Sequence, residues 1–199
     1  VASSMPLWMM AFGMLFFQTR ITRPQMLGAF FSISGVLVVL SHGDWQQLRQ
    51  LRLVTGDLFM LLSTACWSLY TWLLVRTPDP AGIKSQWALL LMAQLAFGLL
   101  WSGLFAGAEW ALGASQLQIN SSLLWAIAYI VIGPAILAYR CWGMGVQRVG
   151  PTVAGFFSNL TPLFAAVLSA AFLGEPPRIY HGVAFVLVVA GIVISSRRA

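Results

Sequence analysis

An all-α, polytopic membrane bundle is the fold class this sequence predicts, and three observations carry that reading. Only eleven basic and five acidic side chains occur among 199 residues, 8 % of the chain, where a soluble domain carries about a quarter. Hydrophobic residues make up 59 %, and the mean hydropathy is +0.84. The apolar residues gather into seven runs, near 2–17, 24–40, 57–75, 86–108, 122–146, 151–173 and 179–196. A spanning helix needs about 20 such residues. So few charges cannot cover the exterior of a soluble protein. The composition therefore excludes a soluble enzyme, a disordered chain and a disulfide-stapled secreted module.

The net charge is +6, but its basic residues are too scattered for a stripe that tracks phosphates, so nucleic acid is not an expected partner. They sit mostly between runs and orient the chain in the bilayer. With seven spans, Arg20, Arg23, Arg76, Lys84, Arg148, Arg197 and Arg198 fall on one side. Arg49, Arg52 and Arg178 fall on the other. This imbalance predicts a cytoplasmic C-terminus in a plasma membrane, read here as a bacterial inner membrane.

Trp87, Trp110 and Trp125 stand near run ends, at the headgroup level that an amphipathic ring prefers. The longest connector runs from Ser41 to Gly56. Its Trp45, Leu48, Leu51 and Arg52 suit either a short interfacial helix or a solvated loop. Asp79 between Pro78 and Pro80 marks a tight turn. Cys66 and Cys141 lie within apolar runs and are expected to be small buried hydrophobes. The chain opens on Val1, without an initiator Met or a basic n-region, and further sequence upstream is expected.

Sliding the first two runs onto the last two at an offset of 156 aligns Pro6-Leu7 with Pro162-Leu163, Phe16 with Phe172 and Gly35 with Gly191. Such matches suggest an internal repeat. Further motifs follow in order. Gly56-Asp57 opens the third run, followed by Cys66-Trp67-Ser68-Leu69-Tyr70. The fifth reads Ala138-Tyr139-Arg140-Cys141-Trp142, then Gln147-Arg148-Val149-Gly150. The last two carry Asn159-Leu160-Thr161-Pro162-Leu163-Phe164-Ala165, Phe172-Leu173-Gly174-Glu175 and Ala190-Gly191.

In this order and spacing, the chain resembles the EamA-like branch of the drug/metabolite transporter superfamily. One motif departs from the pattern: Gln18-Thr19 stands where the first repeat would carry the counterpart of Gly174-Glu175. The resemblance implies ten helices in two inverted five-helix repeats, of which seven are present. Residues 1–40 would be the last two helices of the first repeat, 41–56 a connector, 57–196 the complete second repeat and 197–199 a cytoplasmic tail. It further implies an exporter or exchanger of small metabolites, often amino acids, with a central cavity shared by both repeats. The lipid bilayer and a small metabolite are then the expected partners, without a cofactor or metal. A homodimer is compatible with it.

Arg140 is the most informative single residue. It lies roughly 12 Å along its helix from Arg148 and about 22 Å from Trp125. An arginine near the bilayer centre costs on the order of 2.5–3.5 kcal/mol on insertion scales. It therefore needs a partner: a substrate carboxylate or phosphate, or the headgroups reached by snorkelling. Tyr129, Gly133 and Ile136 share its face at helical spacing. On the third run, Ser63, Thr64, Trp67, Tyr70 and Thr71 form one aromatic and hydroxyl arc, suited either to the apolar part of a substrate or to helix packing. Gly155, Asn159 and Pro162 share a face of the sixth run. Pro162 offers no N–H to the Ser158 carbonyl, which suits a hinge beside a cavity or a packed kink that Asn159 satisfies. Pro134 invites the same comparison. Gly28, Gly35, Gly182 and Gly191 are expected to permit close helix approach.

Other classes fare worse. His42 and His181 are the only histidines, with neither a zinc-binding HExxH pair nor a GxSxG elbow, so an enzyme is not expected. The only lysine, Lys84, lies in a connector, where a retinal Schiff base cannot form. A non-transporting seven-helix receptor or assembly protein stays as the alternative.

Overall fold

A computed structural model describes residues 2–41, 44, 46, 54–79, 82, 86–113, 120–174 and 178–196. Among them the regular structure is entirely helical: α1 (Met5–Phe17), α2 (Arg23–Leu40), α3 (Thr55–Arg76), α4 (Trp87–Ala111) and α5 (Ser121–Ile130), then a π-helical segment (Val131–Ala138) that continues as α6 (Tyr139–Val149). There follow α7 (Pro151–Phe157), a 3-10 turn (Ser158–Leu160), α8 (Thr161–Leu173) and α9 (Ile179–Ser196). The polytopic helical prediction holds. Among the described residues, six stretches are long and apolar enough to cross a membrane. The first run is helical over its expected bounds, a 3-10 turn (Ala2–Ser4) leading into the 13 residues of α1; α1 itself rises about 20 Å, less than a hydrocarbon core of about 30 Å.

Local chemistry sets the helix ends. Gln18 adopts the left-handed conformation after α1 and, with Thr19, returns its N–H to the Gly13 carbonyl. Four residues on, Thr22 caps α2: its hydroxyl accepts from Gln25 N–H, and Gln25 Oε1 accepts from Thr22 N–H. With Pro24 in the first turn, this is a capping box on a preset backbone. Asn120 caps α5 by accepting from Leu123 N–H at 2.8 Å. Gly174, at φ 70°, ends α8. The interfacial-helix reading of Trp45, Leu48, Leu51 and Arg52 falls outside the described residues, as do Arg49, Pro80, Lys84, Glu175, Arg197 and Arg198.

The chain divides into two compact units, one of Val1–Arg76 with Gly145–Ala199, the other of Thr77–Met144. The first has a core in which Met10, Val36, Phe156, Val188 and Ile192 pack together. Its tightest feature is the antiparallel crossing of α2 and α9. A methyl group on Gly191 would lie 2.6 Å from the Gly28 carbonyl oxygen and 2.9 Å from the Ser32 nitrogen. One on Gly35 would lie 2.8 Å from Val188 and 2.9 Å from the Ala184 carbonyl oxygen. Only hydrogen fits at these positions. Gly182, expected to act likewise, has nothing within 4 Å.

Among its described residues the second unit has no such core. None of the side chains of α4, α5 or the π-helical segment is buried, although these helices are apolar on every face. Trp87, Trp110 and Trp125 are exposed near its helix ends. The two cysteines correct an expectation: Cys66 on α3 and Cys141 on α6 are both exposed. A bilayer accepts a thiol on the outside of a bundle as readily as the bundle interior does, so an apolar run does not tell which way it turns.

Candidate functional site

The residues singled out from sequence fall in both units: Trp67, Tyr70, Asn159 and Pro162 in the first, Tyr129, Pro134 and Arg140 in the second. In α3 the expected arc divides. Thr64, Ser68 and Thr71 are buried, and each hydroxyl donates to the carbonyl four residues before it, at 2.7, 2.8 and 2.8 Å. These hydroxyls are satisfied within their own helix and form a packing face. Ser63 is exposed, while Trp67 and Tyr70 remain half-buried. Their rings lie 5.2 Å apart at 46°, a tilted pair one helical turn apart.

Trp72, which no sequence pattern singled out, is the anchor of this helix. Its Nε1–H donates to the Met9 carbonyl at 2.8 Å, and its ring stacks on Phe17 at 5.0 Å and 13°. A methyl group on Gly13 would come within 2.7 Å of the same ring. The missing signal is a helix-to-helix one: Gly13 and Phe17 make a slot on α1, and nothing local to Trp72 reveals it.

Asn159 sits wholly buried in the 3-10 turn and donates from Nδ2 to Ser32 Oγ on α2 at 2.7 Å. Among the described residues its Oδ1 has no hydrogen-bond partner. The turn separates α7 from α8, and Pro162 stands in the first turn of α8. The Ser158 carbonyl, which Pro162 cannot serve, accepts from Thr161 N–H instead. Asn159 therefore does not satisfy the kink; it ties the broken span to α2.

In the second unit, Pro134 lies inside the π-helical segment, where a wider turn accommodates a ring that cannot donate. Tyr129 is exposed two residues before that segment, with its ring facing Gly133. Arg140 follows two residues after the segment ends. It is exposed, and its guanidinium carbon stands 4.8 Å from the centroid of the Trp87 ring. Such a pair holds a cation without a carboxylate. Trp87 thus gains a role beyond marking a helix end. Among the described residues, no group of three His, Cys, Asp or Glu side chains forms a metal site.

Apolar spans, two of them interrupted beside proline, define a multi-pass helical membrane protein. The chain belongs to the EamA-like transporter family, whose model matches residues 54–197. It is 29 % identical over 178 residues to the uncharacterized transporter YyaM of Bacillus subtilis (strain 168), covering 89 % of this chain and 56 % of that protein. A Salmonella typhimurium protein named "Probable amino-acid metabolite efflux pump" is 27 % identical over 190 residues, covering 94 % of this chain and 62 % of its own length. An uncharacterized transporter of Archaeoglobus fulgidus is 22 % identical over 178 residues, covering 87 % and 58 %. The chain spans little more than half the length of these relatives. No solved structure matches it significantly. The family is one of transporters.

Proposed function

We propose that this protein exports or exchanges small metabolites, amino acids or related compounds, across a bacterial inner membrane by alternating access. The observation that carries the reading is the pair of interrupted spans, at Val131–Ala138 and Ser158–Leu160. Broken helices within a bilayer survive where they border a cavity or a packed partner, and they point to the substrate site of a transporter. Arg140, adjoining one break, holds the anionic group of the substrate, while Trp67 and Tyr70 contact its apolar part. Tyr129 and Asn159 complete the polar lining, Asn159 after a rearrangement that releases it from Ser32. The efflux activity named for the Salmonella relative favours amino-acid metabolites.

Residues 1–40 and 57–196 are the end of one inverted repeat and the whole of a second, with a cytoplasmic C-terminus. The α2–α9 crossing supports that register. Gly35 meets Ala184 and Val188, and its counterpart at the 156-residue offset, Gly191, meets Gly28 and Ser32, the counterparts of those two. The test is flux of a panel of amino acids and organic anions into liposomes that hold the intact protein. Arg140→Leu is expected to abolish flux of anionic substrates, and unchanged flux of every transported anion would refute the ligand role.

A further inference from the structure

A cavity of about 410 Å³ opens within the first unit where three elements meet: the turn after α1, the last turn of α3 and the link at 149–153. Each is the end of an apolar run, so the cavity lies at the rim of the bundle, level with the lipid headgroups rather than the hydrocarbon. Arg20 and Arg76 both line it, and no aspartate or glutamate is among its described lining residues. Among the described residues neither arginine pairs with a carboxylate. Two cations facing one cavity without a counter-charge create a strong preference for an anion.

The floor has the opposite character. Met10, Trp72 and Val75 line it, and Trp72 is held rigid by its bond to the Met9 carbonyl and its stack on Phe17. The Arg76 guanidinium stands 5.8 Å from the Trp72 ring centroid, which fixes the charge beside the apolar surface. Thr152 adds a half-buried hydroxyl at the wall. A charged rim above an apolar floor matches an amphipathic anion. Guanidinium groups are suited to phosphate because their forked N–H donors fit its oxygens.

We propose that this cavity is a phosphate site that seats the headgroup of an anionic phospholipid, with Arg20 and Arg76 on the phosphate and the first part of an acyl chain over Trp72. Basic pockets between spans at the membrane face bind anionic lipids in this way. The site is independent of any transported substrate and of Arg140.

The test uses the intact protein in a neutral detergent. Binding of short-chain phosphatidylglycerol, short-chain phosphatidylcholine and inorganic phosphate is read from the shift in Tm and from lipid retained in native mass spectrometry. Phosphatidylglycerol is expected to raise Tm and to be retained, and phosphatidylcholine is not. Arg20→Gln and Arg76→Gln each weaken phosphatidylglycerol binding about fivefold, the worth of one basic side chain near an anionic headgroup. Thr152→Trp, which fills the cavity and keeps both charges, also abolishes it. Arg148→Gln, outside the cavity, leaves it unchanged. A Tm shift with inorganic phosphate as large as with the lipid supports the phosphate site and assigns it to a soluble phosphate. Equal binding of the two lipids, survival of the shift in both the Arg20→Gln/Arg76→Gln double variant and Thr152→Trp, or an equal loss in Arg148→Gln would overturn the proposal. None of these readings involves flux, so a failure here and a failure of the transport reading are separate results.

Discussion

The two units of this chain are built from the same materials and behave oppositely. In the first, α2 and α9 approach until backbone meets backbone, and Phe156, Val188 and Asn159 are wholly enclosed. In the second, 25 residues of α4 include no buried side chain at all, though Leu99, Trp101 and Phe105 are as apolar as anything in the core. Water cannot be what separates them, because neither surface suits water. What separates them is the presence of small residues at close-approach positions in one and their absence from contact in the other. Gly98, Gly103 and Gly107 of α4 have nothing within 4 Å, whereas Gly28, Gly35 and Gly191 would each clash on gaining a single methyl. Between helices in lipid, shape decides association where hydrophobicity cannot.

The comparison can be broken most sharply with a matched pair of phenylalanines. Phe156→Ala empties a fully enclosed site and is expected to cost about 3–5 kcal/mol. Phe105→Ala, in an exposed position, is expected to change stability by less than about 0.5 kcal/mol. Thermal unfolding of the two variants in detergent measures both, and equal losses would show that α4 is packed as tightly as the core. Next in size is Gly191→Ala, which overpacks against backbone and should cost about 1–3 kcal/mol. Its partner measurement, Gly103→Ala, should stabilise by about 0.5–1 kcal/mol through helix propensity alone. Opposite signs for the two are the expected result.

A smaller effect comes from the polar clasp in the first unit. Asn159→Ala should cost about 1–2 kcal/mol, with most of that coupled to Ser32 in a double-mutant cycle. Additive losses for Asn159→Ala and Ser32→Ala would place the stabilisation elsewhere. The last is Trp72→Phe, which keeps an aromatic ring beside Phe17 but removes the bond to the Met9 carbonyl and part of the buried ring volume. A loss of about 1–2 kcal/mol in thermal stability is expected.

Much of the fold was legible in the sequence because a bilayer imposes a length and a composition on every span. The apolar runs and the prolines at 134 and 162 act locally, and each marks structure within a turn or two of itself. Orientation about the helix axis was not legible. A soluble helix advertises its buried face by contrast with its polar one, and here that contrast is missing. Hence Trp67 stood out from the sequence while Trp72, five residues on, is the one that is enclosed. Hence also Cys66 and Cys141 face outward, and Gly182 does not share the role of Gly191. Among the candidate site residues, Arg140 was conspicuous because a charge is rare in such a run. Its neighbour Trp87 lies more than fifty residues earlier, beyond the reach of any periodicity.

The α2–α9 crossing has a consequence in time. Its two strands of contact are roughly 150 residues apart in the chain, and a ribosome adding about 5–20 residues per second needs on the order of 8–30 s to supply the second after the first. Throughout that interval α2 sits in the membrane with its glycine groove open and Ser32 waiting for a partner. The crossing is consequently among the last contacts of biogenesis to close, and the groove is the surface on which a neighbouring chain at the same stage would be captured by mistake.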